Sequence, residues 1–466
     1  MSSKLLAGWS GADITPRLPA ALLGQYEQRI ARKVGSRLQA VVLAVGREGD
    51  TPVYWAACDL LFTPKSLKDA VVDALKSRLP DADAAHVILS ATHIHTGPYM
   101  QRDAESSLIR YLCDDPTLTQ PEENRAAAAS AIADAIVRAH DAMVPSTFSR
   151  AASPIQTGYC RRVTYTDGSA AMYGRVDRDD FKCMEYHDGG LVNLLYVRDA
   201  AGKLTGVVTN VPCTAQVVEH KDYITSDYWG YTRAMAEASL GDVRVLGVTG
   251  CAGDLSPRDQ LTMLPGEPDM NSEDGARWLG ERIAREILRY ADAPMETLPE
   301  DAAFVNRYRE VDLPRWNPTF AQYTAAKAAM AGYAEKYGTR PDRYPFKSGV
   351  PSFGYSEDEV IVRRFEDDVE YVKAPVHALR IGNVAFITNP FECFIEYADR
   401  VRAGMPGVQV FDVQLTDDAM GYLATRRAVR GGGYSAMIFN GQCGPDGGDV
   451  LVRESLALLK ETEEVR

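Results

Sequence analysis

The sequence predicts a layered α/β protein, with mixed β-sheets flanked by helices, and three observations carry that reading. Apolar runs at 39–45, 53–59, 87–91, 204–211 and 243–249 have the length and β-branched content of buried strands. Stretches of helical period lie between them, at 66–79, 122–143 and 228–240, the alternation of strand and helix that builds layers. Reactive side chains follow those strand runs at once instead of sitting inside them, and strand ends are where such folds gather ligands.

Taken in order, residues 5–62 form a β-rich entry: a strand at 5–9, a turn at Asp13-Ile14-Thr15-Pro16, and strands 39–45 and 53–59 about a hairpin at 46–50. Leu67, Ala70, Val71, Ala74 and Leu75 give 66–79 its helical spacing, with Ser66 as N-cap. The stretch Val87-Ile-Leu-Ser-Ala-Thr-His-Ile-His-Thr-Gly-Pro98 is the one the chain is organised around. If its strand runs through the histidines, His93 and His95 share a face and project together, and Gly97-Pro98 then turns the chain. The alternative is two polar residues at a strand end bonded to backbone and water.

An alanine-rich helix follows at 122–143, with His140 near its end as a favourable C-terminal cation. Residues 150–190 are loop-rich and polar and are expected to border the pocket. A hairpin, 192–197 and 204–211 turned at 199–202, delivers Pro212-Cys-Thr-Ala-Gln-Val-Val-Glu-His220. Thr225-Ser226-Asp227 caps a helix at 228–240. The strand 243–249 ends in Gly250-Cys-Ala-Gly-Asp-Leu-Ser-Pro257, presenting Asp254 and Ser256. Helices at 273–291 and 318–337 come next, and 295–360 reads as a peripheral insertion or lid on one catalytic body spanning 1–466. Two short strands at 376–387 lead to Pro390, which starts a helix with Glu392 in its first turn. A last strand at 408–413 precedes the loop 421–425 with Tyr422, the glycine-rich 430–434, and a closing helix at 448–463.

Composition bounds the partners. The chain has 466 residues, 45% apolar and 25% charged, as a globular enzyme does, with net charge −13. No basic cluster is dense enough to track a phosphate backbone, so nucleic acid is not expected. No apolar run approaches a membrane span and no secretory leader is evident at the N-terminus. Eight scattered cysteines without a CxxC pair favour reduced, buried thiols and a cytoplasmic setting, and exclude a zinc ribbon.

His93/His95, Cys213, Asp254/Ser256, Glu392 and Tyr422 together offer the nitrogen, sulfur and oxygen ligands and the hydroxyl that a hydrolytic metal site uses. Each alone has a plainer reading: Cys213 as a small buried hydrophobe, Ser256 as part of a turn, Glu392 as a helix N-terminal acid. At this point the chain resembles a family. Gly11-Ala-Asp-Ile-Thr15, Gly24-Gln-Tyr26, Ala91-Thr-His-Ile-His-Thr-Gly-Pro98, Gly253-Asp-Leu-Ser-Pro257 and Tyr422-Leu-Ala-Thr425 with Tyr434 are similar to the catalytic domain of the neutral (neutral/alkaline, non-lysosomal) ceramidases. That family are zinc amidases that cleave the N-acyl bond of ceramide.

The resemblance implies a neutral-ceramidase-like fold, zinc as cofactor, His93, Glu392 and Tyr422 as ligands, and Ser256 as the hydroxyl at the scissile carbonyl. His95 stands beside the metal as acid–base group, with Asp254 next to Ser256. The family's second zinc histidine falls on Cys213, so a thiolate replaces it, or His220 supplies the ligand, or no zinc is held. The family's C-terminal β-sandwich domain has no counterpart before residue 466, which makes ceramide itself a poor expectation. The function expected is zinc-dependent hydrolysis of an amide or ester bond in a soluble or amphiphilic small substrate, metal-bound water attacking while Ser256 assists. The competing expectation is a carbohydrate- or polyol-active or binding protein on the same fold. Tyr159, Tyr186, Tyr228, Trp229 and Tyr434 would then supply aromatic platforms.

Overall fold

The computed structural model describes residues 4–25, 27–101, 115–262, 266–293, 295–337 and 352–463. Tyr26 of the Gly24-Gln-Tyr26 stretch lies outside them, as does part of the 295–360 region. The path of the first sheet runs Arg244–Thr249, Leu204–Val211, Val192–Asp199, Val144–Ser153, Leu5–Asp13, Gln39–Arg47, Val53–Cys58, Val87–Ala91. The second runs Phe304–Pro314, Tyr371–Ile381, Val384–Thr388, Gln409–Val413. The two sheets pack face to face. Val41, Leu43 and Val45 point into the shared core with Leu379, Phe386 and Phe411. The intervening Ala40, Val42 and Ala44 pack instead against the helix layer. Alternation thus splits one apolar run between two cores, which is why these strands read as continuously hydrophobic.

Helices Lys65–Leu75, Pro121–Asp141, Asp227–Leu240 and Glu273–Ala291 cover the outside of the first sheet, and Ile395–Ala403 and Pro445–Glu461 cover the second. The result is four layers, helix–sheet–sheet–helix, the mixed α/β class with layered sheets that the sequence indicates. Most strand pairs are antiparallel. The parallel ones within these two sheets are Val53–Cys58 with Val87–Ala91, Leu204–Val211 with Arg244–Thr249, and Val384–Thr388 with Gln409–Val413. Their carboxyl ends meet: Ala91 N–H donates to Leu415 O at 3.1 Å, Gln414 N–H to Thr249 O at 3.1 Å, and Thr249 Oγ1 to Ala91 O at 3.3 Å.

Several local expectations change. The first helix begins at Lys65 with Pro64 as its N-cap, and Ser66 is buried in its first turn. Ser226 caps Asp227–Leu240 without a side-chain bond; Asp227 Oδ1 instead accepts the Tyr228 N–H at 2.7 Å. Residues 150–190 are loop-rich, and among the loops they hold the three-stranded sheet of Arg162–Tyr165, Ala170–Met172 and Phe181–Met184. Within the 295–360 stretch, Phe304–Pro314 pairs along its whole length with Tyr371–Ile381 and so belongs to the second sheet. Only the helices Phe320–Tyr337 and Ser352–Glu366, packed on each other, answer to an added element. No helix among the described residues is long and apolar enough to cross a membrane.

Candidate active site

The site is assembled at the rim where the parallel strands end. The strand Val87–Ala91 stops two residues before His93, so alternation does not bring the histidines together. His93 adopts a left-handed backbone, φ 60°, a conformation unusual for a side chain of its size. That turn sets the two imidazoles edge to face with centroids 5.0 Å apart. His93 is fully buried, and its Nδ1 lies 3.0 Å from Leu61 O. His95 Nδ1 lies 2.9 Å from Gly24 O. A carbonyl can only accept, so both Nδ1 atoms carry a proton, and in a neutral ring the lone pair is then on Nε2. This is the arrangement that outer-shell carbonyls impose on metal-binding histidines.

Gly24 is required here: its φ is 121°, and a Cβ would lie 2.7 Å from His95 Cα. His93 Nε2 faces Glu392 Oε2 at 3.5 Å, while His95 Nε2 is buried with no partner. Burial, followed by the neighbouring His93 and the Arg29 cation, holds the His95 pKa well below the ordinary imidazole value, so the ring is neutral at pH 7.

Glu392 does not begin a helix. It sits in the short strand Glu392–Cys393, paired in parallel with Tyr422–Leu423, and the helix starts three residues later at Ile395. That pairing brings the Glu392 and Tyr422 backbones side by side. Gly253 supports it closely, since a Cβ there would come within 2.3 Å of Glu392 O.

Four further polar residues complete the wall. Arg161 is buried and donates to Tyr422 Oη at 3.2 Å, Gly253 O at 2.9 Å, Gln216 Oε1 at 3.2 Å and Tyr173 Oη at 3.4 Å. Burial opposes its charge, but Tyr422, Tyr173 and Glu392 outweigh that and keep it a permanent cation. Tyr173 itself holds φ 54°. Gln216 donates to Tyr173 Oη at 2.9 Å and to Glu219 Oε2 at 3.1 Å, and accepts from Thr214 Oγ1 at 2.6 Å. The Glu219 carboxylate reaches to 3.5 Å from His95 Nδ1. Only the polar character of 150–190 and the sequence Pro212–His220 pointed towards them.

The remaining candidates lie as follows. Ser256 is buried in a two-residue strand against Tyr159–Cys160, and its hydroxyl exchanges 3.3 Å contacts with the Arg258 backbone. Asp254 Oδ1 accepts the Ile395 N–H at 2.9 Å, so its carboxylate serves the helix start and not the Ser256 hydroxyl. Burial raises its pKa to about 6. Cys213 belongs to the apolar core between the first sheet and its helices, where its thiol donates to Thr214 O at 3.5 Å. Burial, then Asp227, pushes that thiol well above its ordinary pKa. His220 is 63% exposed and faces outward from the rim. Tyr228 and Trp229 are fully buried, so neither can serve as an open platform.

A zinc ion fits part of this donor set. The two Nε2 lone pairs, the Glu392 carboxylate and the Tyr422 hydroxyl have the right chemistry, and the orphaned His95 Nε2 calls for a partner. The protonated Cys213 thiol does not fit, because a zinc-bound sulfur must be a thiolate. Among the described residues no group of three or more His, Cys, Asp or Glu is already converged to metal-binding distance.

The fold has known counterparts. A crystal structure of neutral ceramidase from Pseudomonas aeruginosa superposes with a TM-score of 0.73 at 18% identity, covering 99% of this chain and 75% of that one. A structure of ceramidase complexed with C2 gives 0.72 at 19% identity, covering 98% and 76%. No protein-family model and no curated protein matches the chain. At these identities the likeness is one of fold, and it agrees with the architecture that the resemblance implied.

Proposed function

We propose that this chain hydrolyses an amide or ester bond in a soluble or amphiphilic small molecule, with zinc as cofactor. The observation that carries the reading is the imidazole pair: two buried rings, each with its Nδ1 proton given to a backbone carbonyl, keep Nε2 for a ligand, and that of His93 lies 3.5 Å from the Glu392 carboxylate. His93, His95, Glu392 and Tyr422 would hold the ion. Zinc, when bound, would polarise the scissile carbonyl and acidify a water molecule.

The chain's own groups supply the rest. Arg161, locked by four hydrogen bonds, places a fixed positive charge beside Tyr422 where charge on the carbonyl oxygen would develop. The Ser256 hydroxyl would have to leave its Arg258 contacts to attack or to donate. The fold-level likeness to ceramidases supports acyl-bond chemistry.

Metal analysis of protein purified without chelators tests the reading, together with a panel of N-acyl and ester substrates assayed with and without zinc. About one zinc per chain is expected, lost in His93→Ala along with activity. A metal-free protein that ignores the whole panel even with added zinc would overturn it.

A further inference from the structure

Behind the rim two thiols meet that take no part in the chemistry above. Cys251 lies just after the strand Arg244–Thr249, and Cys393 is the neighbour of Glu392 in its short strand. Both are buried in the core of the second sheet, and their side chains are hydrogen-bonded to each other. Their backbones are joined as closely. Gly253 N–H donates to Cys393 O at 2.8 Å. Gln414 Oε1 accepts the Ala252 N–H at 3.1 Å and the Cys393 N–H at 3.0 Å, one oxygen serving both segments. Asp412 Oδ2 receives the Cys251 N–H at 2.6 Å. Independently, both cysteines line one small cavity, shared with Asn389, Asp412 and Tyr397, with room for a molecule of about the size of water. The pair thus has contact, a fixed mutual position and space for a small reagent.

We propose that Cys251 and Cys393 form a reversible disulfide when the protein meets hydrogen peroxide, and that this bond couples the redox state of the thiols to the position of Glu392. The peroxide oxidises one thiol to a sulfenic acid and is itself reduced, releasing one water. The second thiol then attacks that sulfur: the S–S bond forms, the S–O bond breaks, and the hydroxyl departs with the thiol proton as a second water. Contact with Cys393, followed by burial, raises the Cys251 pKa well above the ordinary thiol value, so the pair withstands brief exposure and responds to sustained exposure. A covalent bond is shorter than the contact it replaces, so closing it draws Cys393 towards Cys251. Gly253 has no slack to absorb the movement, since even a Cβ there would come within 2.3 Å of Glu392 O. The displacement falls on Glu392 and on the turn that carries Asp254 and Ser256. Its effect on zinc and turnover rests on the hydrolase reading above; the disulfide itself does not.

The test incubates the purified protein with excess hydrogen peroxide, alkylates the remaining thiols under denaturing conditions and maps the peptides by mass spectrometry. A linked pair of peptides holding Cys251 and Cys393 is expected, opened again by dithiothreitol. The exposed Cys183 shows that the reagent has acted. Zinc content and kcat/KM should fall together by about tenfold or more on oxidation, recover on reduction, and be insensitive to the treatment in Cys251→Ser. Cys393→Ser takes the place of that variant if it does not fold. Oxidation of Cys183 that leaves Cys251 and Cys393 alkylatable, or converts them to unlinked sulfinic acids, overturns the inference. So does a linked pair that leaves zinc content and turnover as they were. A protein that neither binds zinc nor turns over any substrate refutes the hydrolase reading alone. The linked peptides then decide, together with a melting temperature that moves on oxidation in wild type and not in Cys251→Ser; absence of either overturns the inference.

Discussion

Two buried charged clusters flank the strand that leads to His93, and they are built on opposite terms. Behind the strand, Asp417 receives Lys68 Nζ at 2.7 Å, His377 Nε2 at 2.7 Å and the Leu89 N–H at 2.8 Å. Its carboxylate is surrounded by donors. At the strand's end, Glu392 and Glu219 each meet an imidazole at 3.5 Å, and the His95 lone pair meets nothing. These separations are too long for hydrogen bonds. His377 Nδ1 is buried without a partner just as His95 Nε2 is, so the contrast lies in the carboxylates: Asp417 is ringed by donors within 2.8 Å, while Glu392 and Glu219 stand 3.5 Å from their imidazoles.

The largest effect should come from breaking the satisfied cluster. Asp417→Ala strands the buried Lys68 cation and is expected to destabilise the fold by about 3–5 kcal/mol, read by chemical denaturation. Burial opposes the Asp417 charge, but Lys68 and His377 win and hold its pKa below the ordinary carboxylate value. Its stabilisation is therefore full above the unfolded value near 4 and fades as pH falls through the lower folded value. The variant should lose that part of its acid sensitivity.

Gly24→Ala should cost about 2–3 kcal/mol, since it meets both an unfavourable φ and the His95 backbone. It should also lower zinc content, a loss that plasma emission can detect. Asp254→Asn sharpens the contrast from the other side. With a folded pKa of about 6 against 3.8 unfolded, ionised Asp254 destabilises the fold increasingly as pH rises from about 4 to 6. The variant should therefore gain on the order of 2–3 kcal/mol at pH 8 and nothing at pH 3. The smallest effect is expected of Glu392→Gln: stability within about 1 kcal/mol of wild type, because the amide keeps the side chain's shape and the His93 contact it alters is 3.5 Å long. A large loss of stability there would end the distinction between the two clusters.

How much of this was legible from residues alone follows from periodicity. Val41, Leu43 and Val45 announced a strand whichever core they faced, and the Leu67–Leu75 spacing announced a helix. The chemistry after the strands was visible as composition: His93, His95, Glu392 and Tyr422 stand at the rim. Their geometry was not visible. His93 reaches its neighbour through a left-handed turn, which no alternation rule describes, and Glu392 lies in a two-residue strand whose partner is thirty residues away. Arg161 and Tyr173 escaped for the same reason. Their roles depend on hydrogen bonds between segments distant in sequence, and each is an ordinary polar residue when read locally. Cys213 shows the reverse: register placed it at a ligand position, while burial keeps its sulfur protonated.

The three parallel strand pairs carry a consequence for how such a rim can change. Antiparallel neighbours send successive connections to opposite edges, so half their loops are out of reach of any one site. A parallel pair returns the chain through a crossover helix, here Lys65–Leu75, Asp227–Leu240 and Ile395–Ala403. Both strands of each pair therefore finish on the same side. Six strand ends open onto one rim from three separate stretches of chain, while the sheet interiors stay closed by helices on one face and by each other on the other. Loops on that rim can exchange residues, lengthen or shift register without disturbing a buried face. The chemistry is thus modular in a way that the layers beneath it are not.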